Sequence, residues 1–459
     1  MQMKRGLFFL SLNFFCYTVA IGQDVPVPKK VIKLGWDYFD ASQLVASGDS
    51  IQNNLPFDGI VFSINRRVMQ AFDTVLLPDS YFKFGQLRQI KWTRFTDNFI
   101  SVWGFGNYGP YWFNDAIWKN IIFNLSMLSK AVQASHSQGI FFDAEYYLAD
   151  RPDFNPWVYN KKIYPDKSFK EVQQQVRIRG FQTMEALQSS KSDIKIFAVW
   201  LLGLVTEQIK YNTLETANQA LLPSFFEGMM SAKNSDALII DGNETGYWYD
   251  RASDFLASQN YLKSKGLTLL DSSVRTVFRN IPVSQPVFID GLMGKTKEFN
   301  KRGYDTVQKQ NWLANNLLYA LASSDDYMWV YSERINWFTD TFLVRQLEGA
   351  KNKLQTLAYD SCIKGKFKNN DQVNKQATES NNSYTYNARK RILSLKLYKT
   401  PACVSVYENG NLIETIDSVL DKRQDILLAD KYSGKGNLIV MLNYKQNIFN
   451  TSTEVAIVR

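Results

Sequence analysis

The sequence of 459 residues contains a single histidine, His136, and three cysteines. A Ser-His-Asp triad, a Cys-His dyad, a histidine-based zinc centre and an HExxH metalloprotease each need histidine at the reacting site, so these classes have no candidate. No GxxxxGK[ST] loop occurs and no glycine-rich dinucleotide fingerprint follows a strand, which argues against phosphoryl and hydride transfer. Lys and Arg form no dense run, so no nucleic-acid partner is expected. No apolar run reaches the ~20 residues of a membrane-spanning helix. No cofactor is implied, no metal ligand set is assigned, and nothing in the sequence fixes an oligomeric state.

The first 22 residues have the three parts of a secretory signal: Lys4 and Arg5, the apolar run GLFFLSLNFFCYTVA, and small residues at Ala20 and Gly22 before Gln23. Cleavage near Gln23 would make the chain secreted or periplasmic in a bacterium. Asn13, Phe14 and Phe15 ahead of Cys16 lack the small residues expected before a lipid-anchored cysteine. Loss of Lys4 and Arg5 lowers the formal charge from +9 to +7, a mild excess that makes an acidic polysaccharide worth screening. Only Cys362 and Cys403 then remain, so at most one disulfide is possible; two free, buried cysteines are the favoured reading.

Short apolar runs alternate with longer amphipathic stretches. Eight runs read as strands: VIKLGW from Val31, DGIVFSI from Asp58, FISVWGFG from Phe99, GIFFDAE from Gly139, IKIFAVWL from Ile194, ALIIDG from Ala237, PVFID from Pro286 and DYMWVYSE from Asp326. Between them, WFNDAIWKNIIFNLSMLSKAVQAS, SFKEVQQQVRIRGFQTMEALQSS, TLETANQALLPSFFEGMMSA and TVQKQNWLANNLLYALASS carry apolar residues at helical spacing, and Ser168 with Glu171 forms a capping box. This alternation predicts an α/β fold, a closed parallel (β/α)8 TIM barrel over residues 23–360, with a doubly wound open sheet as the alternative. Residues 361–386 are polar and rich in Asn, Lys and Gln and read as a linker. Residues 387–459 carry further strand-like runs with an Asn409-Gly410 hairpin turn, predicting a small C-terminal all-β, sandwich-like domain.

In a parallel barrel the site lies where the strands finish, so His136, just ahead of the strand at Gly139, is expected to be a surface or packing residue. Five of the eight strand ends carry acids: Asp37, Asp143 with Glu145, Asp241 with Glu244, Asp290, and Glu333. Aspartate also follows strands as a helix cap, the favoured role for Asp37, Asp40 and Asp290. Asp143 and Glu145 differ, because positions i and i+2 of a strand share a face and place the pair roughly 6–7 Å apart at the base. Like charges that close raise the proton affinity of one partner and supply an acid and a base at neutral pH. Paired carboxyls of this kind suit cleavage of a glycosidic bond.

Aromatic residues make up 14% of the chain, with 11 Trp and 24 Tyr, and such side chains combine an apolar face with a polar edge. Trp36, Tyr146, Tyr147, Tyr247, Trp248, Trp329, Tyr331 and Trp337 stand near the acids in sequence, Trp103 and Trp200 stand at other strand ends, and all of them, with Asp37 and Asp241, are the candidate substrate-binding residues. Core packing is the competing reading for each aromatic. The candidate catalytic residues are Glu145 as general acid, Asp143 as its partner or nucleophile, and Glu244 or Glu333 as the second carboxylate.

The segment GIFFDAEYY looks like the fourth-strand signature of barrel glycoside hydrolases. Asp143-Ala144-Glu145-Tyr146 resembles the D-x-E-Y end of the family 18 chitinase-type motif, which implies Glu145 as acid and Asp143 orienting a substrate acetamido group; Phe141 stands where that motif has a further Asp. The chain also resembles retaining α-glycosidase barrels, which carry a nucleophilic Asp on strand four, an acid on strand six and often a C-terminal β-sandwich; Asp143 and Glu244, or Asp241, would take those parts. KLGWD, PFDGIVFSI and DGNE further resemble a group of uncharacterised secreted bacterial barrel proteins. The resemblances imply a secreted glycoside hydrolase acting on a carbohydrate. Two other readings follow from the residues: a non-catalytic glycan-binding barrel, and a divalent-cation site formed by Asp143, Glu145, Asp241 and Glu244.

Overall fold

The computed structural model describes residues 29–35, 39–105, 111–147, 154–203, 205, 213–249, 252–270, 272, 275–279, 281–292, 306–335, 337–340 and 342–352, followed by 383–387, 392–397, 403–408, 411–416, 423–428, 438–445 and 451–458. The proposed signal and cleavage point, Trp36, Asp37 and Cys362 lie outside these residues, as does most of the polar stretch 361–386.

All eight expected strands form: β1 (Lys30–Leu34), β2 (Gly59–Ser63), β3 (Phe99–Trp103), β4 (Gly139–Asp143), β5 (Lys195–Ala198), β6 (Leu238–Asp241), β7 (Gln285–Phe288) and β8 (Tyr327–Tyr331). They pair in parallel in the order β6-β5-β4-β3-β2-β1-β8-β7, and a parallel bridge between Asp241 and Val283 joins β6 to the residues ahead of β7. A doubly wound sheet reverses its strand order at a switch point; this sequential curl is instead consistent with a TIM-type barrel. A two-residue strand, Phe39–Asp40, also pairs with β2.

Strand alternation separates two apolar layers. Ile32, Leu34, Val61, Phe99, Phe141, Phe197, Val199, Ile240, Tyr327 and Trp329 form the inner cluster, while Val31, Ile60, Phe62, Ile100, Phe142, Ala198 and Ile239 join the outer cluster beneath the helices. Aromatic side chains fill the lumen, with Phe141 stacked on Phe197 at 5.1 Å and edge-on to Trp329 at 5.6 Å. At its N-terminal end the Tyr327 hydroxyl donates to Asp97 at 2.6 Å and accepts from Lys195 at 2.7 Å. These contacts leave the opposite end for chemistry.

The helices α1 (Ala41–Asn54), α2 (Asp115–Ala134), α3 (Phe169–Leu187), α4 (Leu222–Ala232), α5 (Ala252–Leu262) and α6 (Thr306–Ser323) lie between strands. Ser168 caps α3 with Glu171 in the expected reciprocal box. The helix expected across 213–232 is shorter: a 3-10 turn occupies Leu214–Thr216 and α4 starts only at Leu222, because Pro223 fits a first turn and not an interior. Helices α3 and α4 cross closely, so that a methyl group on Gly180 would lie 1.9 Å from the Phe225 carbonyl oxygen. Fully buried Gln52 braces the loop ahead of β3: its Oε1 accepts from the amides of Thr93, Arg94 and Phe95 at 2.9–3.1 Å, while Nε2 donates to the Lys91 carbonyl at 2.9 Å.

Beyond residue 383 the described strands are all antiparallel. Strands β9 (Ser383–Asn387), β10 (Ile392–Lys396) and β13 (Arg423–Leu427) form one sheet; β11 (Cys403–Glu408), β12 (Asn411–Ile416), β14 (Leu438–Lys445) and β15 (Thr451–Val458) form another. Leu393, Leu395 and Ile426 from the first and Val404, Val406, Val440 and Leu442 from the second share one buried cluster. Asn409 and Gly410 lie outside the described residues, and Glu408 and Asn411 on either side of them are paired. Strand β9 begins inside the stretch read as linker, since SYTYN carries the β-branched and aromatic residues of a strand.

Candidate active site

In β4, Phe141 belongs to the lumen, so Asp143, two residues on, faces the same way at the strand's C-terminal end. It pairs in register with Trp103 at the end of β3. The chain leaves the strand immediately after Asp143, and the turn is set by that side chain: Asp143 Oδ1 accepts the Glu145 amide at 2.9 Å. Ala144 is fully buried, and its carbonyl accepts from the indole of Trp157. Glu145 and Tyr146 are half-buried, whereas Tyr147 is 41% exposed, its ring 6.1 Å from Trp103 and its hydroxyl donating to Asp143 Oδ2.

A second acid arrives from β6. After Asp241 the chain turns through Gly242 and Asn243, which has a left-handed φ of 45°, into a 3-10 turn over Glu244–Trp248. Asn tolerates that conformation better than most residues. Asn243 is buried, and its amide donates to Ser258 at 2.7 Å and to Gln285 Oε1 at 2.9 Å. The lumen itself holds the turn, since Trp329 Nε1 donates to the Gly242 carbonyl at 2.8 Å. Glu244 thus comes to accept hydrogen bonds from the Trp200 indole beyond β5 and from Tyr247. The Tyr247 ring packs at 5.2–5.4 Å against Phe288, Trp329 and Tyr331.

Charge interactions link the two acidic segments. Burial raises Glu244 to about 8, helped by Asp143 and Glu145 and opposed by the Trp200 and Tyr247 hydrogen bonds. Glu145 is pushed up to about 7 by burial and then by Asp143, with the Tyr147 hydroxyl acting the other way. Asp143 is also raised by burial, against the Tyr147 hydroxyl and the Glu145 amide, both of which favour its anion. Burial, with Asp143, Glu145 and Glu244 nearby, holds Tyr147 in its neutral phenol form. The three carboxyls therefore share one region in which burial and neighbouring acids raise proton affinity, and they titrate as a coupled group.

The other sequence candidates take different places. Asp241 follows lumen-facing Ile240 and so points outward; it is 2% exposed and accepts from the amides of Leu202 at 3.1 Å and Asn243 at 2.9 Å. Burial raises Asp241 to about 6. Asp40 caps α1, its favoured role, whereas Asp290, 1% exposed, caps no helix and instead accepts from the amides of Glu333 and Arg334, organising the turn after β8. Glu333 is exposed at the rim and accepts from the Tyr331 hydroxyl at 2.6 Å. Trp329 is sealed in the lumen, and Trp337 is buried against Phe57 at 4.8 Å in the outer core. Half-buried Trp103, Trp200 and Tyr331 adjoin the acids, while Trp248 is 56% exposed. His136 is exposed in the turn before β4, at the opposite end.

Asn243 and Gln285 escaped sequence reasoning, although the Asp-Gly-Asn run after β6 is itself a turn signal. Among the described residues no group of three or more acid, histidine or cysteine side chains is arranged to hold a metal ion, and Asp241 is committed to backbone amides. Nor is any helix among them long and apolar enough to cross a membrane.

No family model matches the chain, and no curated protein matches it. Among solved structures it is similar to a Bacteroides uniformis β-glucuronidase 2 covalently bound to cyclophellitol-6-carboxylate aziridine, with 8% identity and a TM-score of 0.36 over 95% of this chain and 46% of that one. A second Bacteroides uniformis β-glucuronidase structure gives 8% identity and a TM-score of 0.35, again over 95% of this chain and 46% of the other. The chain spans less than half the length of these proteins, and likeness at this level leaves the site to be judged on its own geometry.

Proposed function

We propose that the protein is an exported glycoside hydrolase, with a catalytic barrel followed by a C-terminal β-sandwich domain, acting on a poly- or oligosaccharide. The observation that carries this reading is the meeting of Asp143 and Glu145 from β4 with Glu244 from β6, their proton affinities raised by burial and by one another. Glu145 is the general acid: it gives its proton to the glycosidic oxygen as the bond to the anomeric carbon breaks. Asp143, with two donors on its carboxylate, stands ionised against the positive charge that develops there. Glu244 faces this pair and is the second essential carboxyl; exposed Glu333 is a rim residue. Half-buried Trp103 and exposed Tyr147 and Trp248 offer faces for sugar rings.

The experiment is product release from neutral, amino and uronic glycans, together with aryl glycosides bearing good leaving groups, for the wild type, Glu145→Gln and Asp143→Asn. Loss of the acid should lower turnover on natural linkages by about 10²-fold or more while sparing the activated aryl glycosides, which need no proton. Asp143→Asn should abolish both. Unchanged turnover in Glu145→Gln removes the assignment, and glycan binding without product from any variant or the wild type identifies a binding protein.

A further inference from the structure

Asp241 is a buried acid that the acid and base roles leave unused. It ends β6, turns away from the lumen and divides its two oxygens between two segments of chain. Oδ1 accepts the amide of Asn243 at 2.9 Å, which bends the chain that follows β6. Oδ2 accepts the amide of Leu202 at 3.1 Å, from the segment that follows β5, and the Gly203 amide donates to the same carboxyl. Burial raises the proton affinity of Asp241, and these three amides oppose it by favouring the anion. A carboxylate accepts on both oxygens and serves both segments at once, whereas an amide side chain would turn an NH2 group against one set of donors.

Each tied segment carries a group of the candidate site. Trp200 stands two residues before Leu202 and Glu244 directly after Asn243, and the Trp200 indole donates to Glu244. The two segments approach closely: the Gly242 amide donates to the Ala198 carbonyl at 2.6 Å, and a methyl group on Gly203 would lie 2.5 Å from Asn243 Oδ1. We propose that Asp241 is a positioning residue whose carboxylate ties the segment after β5 to the turn after β6 and thereby sets the Trp200 indole against Glu244. The kinetic part of this inference rests on the hydrolase reading; the hydrogen-bond part does not.

The test is nitrogen-15 NMR of the tryptophan indoles in the full chain, with Trp200→Phe assigning the Trp200 signal and hydrogen exchange measured at each indole. Asp241→Asn keeps an oxygen for the Asn243 amide but not for the Leu202 amide, and Asp241→Ser does the same with a smaller side chain. In either variant the Trp200 indole should exchange about tenfold faster or more, the effect of losing one hydrogen bond of ordinary net strength. The indoles of Trp112 and Trp157, bonded to the Pro156 and Ala144 carbonyls, should keep their protection. A Trp200 indole as protected as in the wild type overturns the proposal. So does an equal loss at all three indoles, or failure of both variants to fold, since either would make Asp241 a residue of general stability. With an active wild type, Asp241→Asn should lower kcat about tenfold with KM within about twofold, and adding it to Trp200→Phe should cost less than about twofold more. A double variant that suffers the full product of the two single losses also overturns it. A wild type inactive on every glycoside would sink the hydrolase reading alone, and indole exchange would still decide the role of Asp241.

Discussion

Glu244 makes the strongest quantitative demand on the structure, because an acid whose proton affinity is raised on folding lowers stability when it ionises. Its folded value of about 8 lies above the ordinary 4.5, so between those pH values the native state binds more protons than the unfolded chain and stability falls as pH rises. At about 1.4 kcal/mol per pH unit the ceiling is about 5 kcal/mol well above pH 8. Glu244 is not fully sealed and shares its titration with Asp143 and Glu145, so the realised effect should be about 2 kcal/mol. Glu244→Gln removes the ionisation and keeps an oxygen for the Trp200 indole. The variant should match the wild type near pH 4.5 and become progressively more stable above it, melting about 2–5 °C higher at pH 8.5. Differential scanning calorimetry or urea titration across pH 4.5–8.5 measures this directly. Parallel curves for the two proteins, or a variant destabilised equally at every pH, would refute the claim that burial and the neighbouring acids load Glu244 with a proton.

Two further outcomes test the scaffold beneath the site. Gly180→Ala should force α3 and α4 apart, because its methyl group meets the Phe225 carbonyl oxygen at 1.9 Å; a loss of about 3 kcal/mol or more, or failure to accumulate as folded protein, is expected. Gln52→Leu strands the amides of Thr93, Arg94 and Phe95 in a buried place, so chemical denaturation should show a loss of about 3 kcal/mol with an unchanged slope.

The sequence by itself determined the strands and their spacing, because the parallel strands are buried on both faces and read as mostly apolar runs bounded by turns. It also marked the end of β4 as unusual, since two acids directly after GIFF conflict with burial unless they have work to do. Which acids meet was a tertiary matter. Asp241 and Glu244 are three residues apart, yet the strand's two-residue alternation turns Asp241 outward to backbone amides. The left-handed Asn243 and the lumen indole of Trp329 bring Glu244 back toward Asp143 and Glu145. Trp329, Trp337 and Trp248 are equivalent as letters near strand ends, but only the packing of the curled sheet and its helices separates an inner-cluster residue, an outer-core residue and an exposed face. Periodicity along a chain is a local property and survives in one dimension. The direction of a side chain after a turn, and the charge it meets there, depend on partners that are distant in sequence, and only the curling of the sheet supplies them.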